Sequence, residues 1–429
     1  MAFIIKGIIV TSTPDKKLVI YNPGFMVVND QGKIQEITNH NIRNKYPERK
    51  LLDYNKHLII PGLIDLHNHL PQLAYAGLGD GQLLDWLSNY TFPREQEFSD
   101  PIVAQIAASQ FFSSLISAGT TTTVTYTTIH EQATDIAFSV AEKIGIRAII
   151  GKVMMDRNSP EKLQENTTDS LATTERLIKK WHKKTDKLFY AVTPRFAITC
   201  SPELLKESAL LANTHNTYIQ THLAENQREV RMVKKLFPHN KSYTDVYKQS
   251  GLLGPKTIIA HGIYLREQEQ ALLRDTQTII AHCPTSNNFL MSGIMPARHY
   301  LNNNLRIGLG SDVSGGYSLS MLHEIRQTIE SSKTLSVFGK SHLKYITLEE
   351  SFYSATLGNA LALGLDNTIG SLDTGKSADF AILDPQIADQ WIWDNNYHEP
   401  RELLTKCIYA TLRNPVVATY IQGEKIKAK

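Results

Sequence analysis

The chain has 429 residues, of which 42% are hydrophobic and 20% charged, with a formal net charge of +3. That length calls for one large domain plus an accessory one. A weak charge without a long Lys/Arg run argues against nucleic acid or an anionic membrane as the main partner. The three cysteines, Cys200, Cys283 and Cys407, are far apart and form no CxxC pair. This disfavours a disulfide scaffold or a cysteine-rich zinc site, and three buried small hydrophobes in a reducing compartment are expected. "MAFIIKGIIVTSTPDKK" reads as a strand rather than a signal peptide, no apolar run reaches the length of a membrane span, and the cytoplasm is the expected location.

In chain order, the first sixty residues carry short strand-like runs between turns: "FIIKGIIV", "KLVIY", "GFMVVND" and "GKIQEIT". The far end is similar, with "GKSADFAILD", "CIYATL" and "VVATYIQGEKIK" all read as strands. If the two ends pair, they make one small β-sandwich domain. The middle differs. Val-, Ile- and Thr-rich runs recur as "LIIPGLIDL", "TTTVTY", "RAIIGKVMM", "FYAVTP", "TYIQTHL", "TIIAHGI", "TIIAHCP" and "RIGLG". Helix-periodic segments such as "SPELLKESALLANTH" lie between them. Eight buried strands alternating with helices predict an α/β fold, a (β/α)8 barrel. No GxGxxG follows any of these strands, which weighs against a doubly wound sheet. The expected boundaries are 1–62 and 371–429 for the β-sandwich and 63–370 for the barrel.

Barrel chemistry sits at the C-terminal ends of the strands. There the first strand brings Asp65, His67 and His69, the fourth Arg195, the fifth His222 with Glu225 just beyond, the sixth His261 and the last Asp312. Residues two apart on a strand point the same way, about 6.6 Å apart. Two imidazoles so placed can lean onto one ion, and His222 with Asp312 would complete a site of four ligands. Nitrogen and carboxylate ligands without thiolate suit zinc or iron. The fourth strand, "FYAVTPRFAITC", has no lysine to bridge a second ion, so one ion is expected. Asp65 is expected behind His67, orienting a ligand histidine, and Asn68 is expected to point away. His282 is expected to play a hydrogen-bonded structural role. The sequence has no His-x-Glu block with a Pro-Cys-x-x-Cys block, so a zinc site of that thiolate kind is not expected.

"PGLIDLHNH" with "THLAEN", "AHG" and "GSD" resembles the amidohydrolase superfamily over nearly the whole chain. "HNHLPQLAYAG", "LLDWLSNYTFPRE", "TPRFAITC", "HCPTSNNFLMSG" and "GSDVSGGYSLSMLHEIR" resemble, more narrowly, its guanine deaminase family. The resemblance implies one zinc per chain, with iron as the alternative, on His67, His69, His222 and Asp312. It implies Glu225 as acid/base, with Asp312 taking a proton from the attacking water and His261 near the group being replaced. Gln72, Arg195 and Phe196, with His261, would bind guanine, whose products are xanthine and ammonia. It also implies a homodimer. Residue types fit: Arg195 can donate to the carbonyl oxygen of guanine, Gln72 can match its amide edge and Phe196 can stack on the ring. A hydrolase of 8-oxoguanine, a pterin or a triazine would keep the ligands and change those three residues. A binding protein on the same barrel would have lost a ligand.

Overall fold

The computed structural model describes residues 2–79, 81–339, 343–388, 399–410 and 413–427. Both chain ends meet in one seven-stranded sheet. Four of its strands, Phe3–Ser12, Leu18–Val28, Ile34–Thr38 and Lys50–Pro61, precede the barrel, and three, Phe380–Leu383, Val416–Ile421 and Glu424–Ile426, follow it. The junction is the antiparallel pairing of Phe380–Leu383 with residues 58–61. Phe3, Ile5, Ile9, Met26, Val28, Ile59, Phe380 and Ile382 form one cluster, and no helical residue belongs to it. The sheet therefore folds over on itself to cover this face, as a β-sandwich does.

Several strand-like runs turn out differently. "KLVIY" and "GFMVVND" are two parts of one strand, Leu18–Val28. "LIIPGLIDL" is two strands, divided at Gly62: its first half belongs to the terminal sheet and its second opens the barrel. A Cβ at Gly62 would stand 2.1 Å from Thr121 Oγ1, so only glycine fits this crossing. "CIYATL" begins inside the helix Pro400–Tyr409, where Leu404, Cys407 and Ile408 are buried at helical spacing; residues 411–412 of that run lie outside the described residues.

The eight barrel strands are Leu63–His69, Thr120–Tyr126, Arg147–Gly151, Leu188–Pro194, Tyr218–Leu223, Thr257–His261, Ile279–His282 and Arg306–Leu309, and neighbours pair in parallel in chain order. Ile64, Leu66, Val124, Ile149, Ala191, Ile258, Ile279 and Ala281 form a cluster of their own, apart from the larger one that packs strands on helices. They fill the interior from strand after strand around the ring. The ring closes between its last and first strands without a regular ladder. Asp312 donates its N–H to the His67 carbonyl at 2.8 Å, and His69 donates its own to Val313 at 3.1 Å. The buried Asn359 amide donates to both Ile64 and Leu309. Gly310 packs on His67 here, where a Cβ would lie 2.8 Å from the histidine's own. Among the described residues no helix is long and apolar enough to cross a membrane. Cys200, Cys283 and Cys407 are free and buried, as expected.

Candidate active site

The strand ends place every candidate residue at one mouth of the barrel. His67 Nε2 lies 3.0 Å from Asp312 Oδ1, and His69 Nε2 lies 3.4 Å from the same oxygen. His69 Nε2 is also 3.1 Å from His222 Nε2. His261 Nε2 stands 3.4 Å from Glu225 Oε2 and 3.7 Å from Asp312 Oδ2. His261, at the end of its strand, and Asp312, three residues beyond Leu309, have φ of 72° and 47°. These left-handed conformations are costly for residues with a side chain and turn both groups inward.

Hydrogen bonds set the histidine tautomers. His222 Nδ1 donates to the Arg195 carbonyl at 2.7 Å, which leaves its Nε2 lone pair facing the centre. His261 Nδ1 lies 2.9 Å from Asn287 Oδ1 and donates to it, with the same result. The Nε2 atoms of His67 and His261 are buried and make no hydrogen bond. Ligand atoms of His67, His222, His261 and Asp312 all lie within 4.8 Å of one another, and His69 stands beside this group. Buried, unpartnered imidazole nitrogens converging on a carboxylate fit a divalent ion.

The two carboxylates are driven apart. Burial raises the Glu225 carboxyl well above its ordinary range, and neighbouring Asp312 adds to the rise. Burial works the same way on Asp312, but the surrounding His67, His261 and His69 hold it well below. Two carboxyl groups shifted in opposite directions at one site are the mark of an acid and a base.

Above this floor is a cavity lined by Gln72, Arg195, Phe196, Leu83, Trp86, Leu87 and Leu290 besides the polar cluster. Apart from the polar cluster its walls are mostly apolar, with a few placed polar groups, as in small-molecule sites. Buried Arg195 donates through Nη1 to Glu95 at 2.5 Å and lies over the Phe92 ring. Gln72 Nε2 also donates to Glu95, at 3.1 Å. Ser292 Oγ donates to Glu225 Oε1 at 3.1 Å and fixes that side chain.

Asp65 holds His67 by its backbone rather than by its ring. It accepts N–H groups from His67 and Ser311, the Ser311 hydroxyl and the Asn68 amide. The register of the first barrel strand on the second shifts between Asp65 and Asn68, so simple alternation does not carry Asp65 behind His67. His282 Nδ1 is buried without a hydrogen-bond partner, and burial brings this imidazole down to about 3. The sequence reading also passed over Glu95, Trp86, Asn287 and Ser292. All four lie within the quoted blocks, but only the fold shows what they face.

A β-sandwich from both chain ends around a (β/α)8 barrel with histidines and an aspartate at its mouth defines the class of metal-dependent barrel hydrolases. Residues 58–426 match the model of the amidohydrolase family, and the chain belongs to this family. It is 38% identical over 400 residues to the guanine deaminase of Rattus norvegicus, covering 91% of this chain and 88% of that one. It is 37% identical over 401 residues to the guanine deaminase of Escherichia coli K12, covering 92% and 89%. Its fold matches that of guanine deaminase from C. acetobutylicum with guanine bound in the active site, at a TM-score of 0.94 and 34% identity over the whole of both chains. An adenosine deaminase from Xanthomonas campestris with bound zinc, at 22% identity and a TM-score of 0.85, shares the fold.

Proposed function

We infer that this chain is a guanine deaminase that hydrolyses guanine to xanthine and ammonia. The observation that carries the reading is the convergence of Asp312 and Glu225 on His261 on the floor of a cavity walled by Arg195, Gln72 and Phe196. Its support from outside the chain is the likeness to guanine deaminases along nearly its full length.

His67, His69, His222 and Asp312 would hold one zinc ion, with iron as the alternative. The unpartnered His261 Nε2 is near enough to contribute. When bound, the ion acidifies a water and makes it a nucleophile near neutral pH. Asp312, held ionised, is the base that takes the water's proton. Glu225, held protonated, gives its proton to the ring nitrogen beside the amine-bearing carbon, so that charge does not build on the purine; it then passes on to the departing amine the proton that Asp312 took from the water, and is reprotonated by the new hydroxyl as this becomes the carbonyl. His261 steadies the developing tetrahedral centre. Arg195 keeps donors beyond the one given to Glu95 and offers them to the guanine carbonyl oxygen. Gln72 matches the amide edge and Phe196 stacks on the ring. The enzyme would act as a cytoplasmic homodimer in purine breakdown, without nucleic acid or membrane partners, and its domains would divide near residues 62 and 370.

Metal-replete protein supplied with guanine should release ammonia and xanthine in equal amounts, and in 18O-labelled water the xanthine should carry one labelled oxygen. Full metal occupancy with no ammonia from guanine would overturn the reading.

A further inference from the structure

The block "YTFPRE" is part of the resemblance, yet no residue in it has a part in the reaction as set out above. The structure gives it one. After the first barrel strand the chain makes a helical excursion that includes Phe92–Glu95 and returns over the mouth of the cavity. Glu95 ends this turn with only 1% of its surface exposed. Its Oε2 accepts from Arg195 Nη1 at 2.5 Å and its Oε1 from Gln72 Nε2 at 3.1 Å. On its other side the Gln72 oxygen accepts the Ser314 N–H at 3.2 Å. A carboxylate can face only donors, and an N–H only an acceptor. The Gln72 amide therefore has a single orientation, nitrogen to Glu95 and oxygen to Ser314.

We propose that Glu95 is a specificity-determining positioning residue: it clamps Arg195 and Gln72 in the geometry that recognises the 6-oxo edge of the purine. This inference rests on the reading of the cavity as a guanine site. Glu95 neutralises the buried guanidinium and holds it as a fixed array of donors. Such an array accepts a ring carbonyl and opposes a ring amine at the same carbon, because the amine would bring donors to donors. The clamp acts on the edge of the ring remote from the amine that leaves. Its contribution falls on binding and on discrimination rather than on bond making.

Glu95→Gln is close to isosteric and tests this. Its amide can accept from Arg195 only by turning its own NH2 toward Gln72, which must then flip and lose Ser314 or leave two donors opposed. The readouts are KM and kcat for guanine, and the inhibition constant of 2,6-diaminopurine as a competitor of guanine turnover. This competitor differs from guanine by an amine in place of the 6-oxo group. The variant should raise KM for guanine by roughly tenfold to a hundredfold, leave kcat within about threefold, and leave bound metal unchanged. The diaminopurine constant should move by less than about threefold, because that ligand never had the contact, so the preference for guanine narrows. If both constants rise in parallel, or kcat falls while KM holds, Glu95 is merely structural and the proposal is wrong. Should Glu95→Gln not yield folded protein, Glu95→Asp is read the same way; it keeps the charge and withdraws it from one of the two donors. Wild-type protein assayed alongside separates the two levels: no guanine turnover there overturns the proposed function itself.

Discussion

Asp65 and Ser311 join the two ends of the barrel: the aspartate accepts the serine N–H at 2.9 Å and its hydroxyl at 2.5 Å, across the seam where no regular ladder runs. Asp65 also accepts the His67 N–H at 3.1 Å, so one buried carboxylate fixes the backbone beside His67 and beside Asp312. Asp65→Ala strands these buried donors and should cost about 3 kcal/mol of stability. It should lower metal content as well, because the first and last strands lose their register. Urea unfolding with elemental analysis checks both, and a fully stable, metal-replete variant would show that the seam closes by other means.

His67→Ala should abolish metal binding and turnover together. His67 Nε2 is buried and lies beside Asp312 Oδ1 without a hydrogen bond, the position of a ligand atom rather than of a structural donor. Elemental analysis of the purified variant decides the matter. A full complement of metal would remove His67 from the ligand set.

Glu225→Gln should behave in the opposite way, keeping the metal while turnover falls by about a hundredfold to ten-thousandfold. The amide preserves the shape and the contact with Ser292 Oγ but carries no transferable proton. Stoichiometric metal with undiminished kcat would contradict the assignment of the acid.

Glu229 supplies a pH dependence of stability. Its Oε2 accepts the N–H groups of Glu225 and Asn226, at 2.8 and 3.0 Å, and holds the turn that aims Glu225. Burial, and next to it the nearby Glu225, push its carboxyl up to about 7. The folded chain thus binds more protons than the unfolded chain between the ordinary value of 4.5 and about 7. The stability from this group is fully present below about pH 4.5 and is lost as pH rises through about 7. Between pH 5 and 8 the urea midpoint of the wild type should fall relative to that of Glu229→Gln. A gap that stays constant with pH would contradict the shift.

The barrel was legible because its signals are local. Continuous β-branched runs alternating with helical periodicity mark a buried parallel sheet, and polar residues at the ends of such runs mark its active mouth. His67, His69, His222, His261 and Asp312 were found this way. The rest depends on contacts between distant parts of the chain. Arg195 meets Glu95 from a hundred residues away, and Asp65 meets Ser311 from 246. No periodicity encodes either pair. The shifted register between Asp65 and Asn68 breaks the alternation on which the placement of Asp65 relied. "CIYATL" misled because a short apolar run has the same look on a buried helix face as on a strand.

The central claim, that this cavity selects guanine, is tested most directly by a substrate panel. Zinc-loaded protein would be given guanine, 8-oxoguanine, adenine, a pterin and ammeline, with kcat/KM read from ammonia release. The account predicts that guanine is the best substrate by at least about tenfold, since Arg195, Gln72 and Phe196 match its edge and ring. Another ring turned over in preference to guanine would leave the metal-dependent hydrolase standing and contradict the roles given to those three residues.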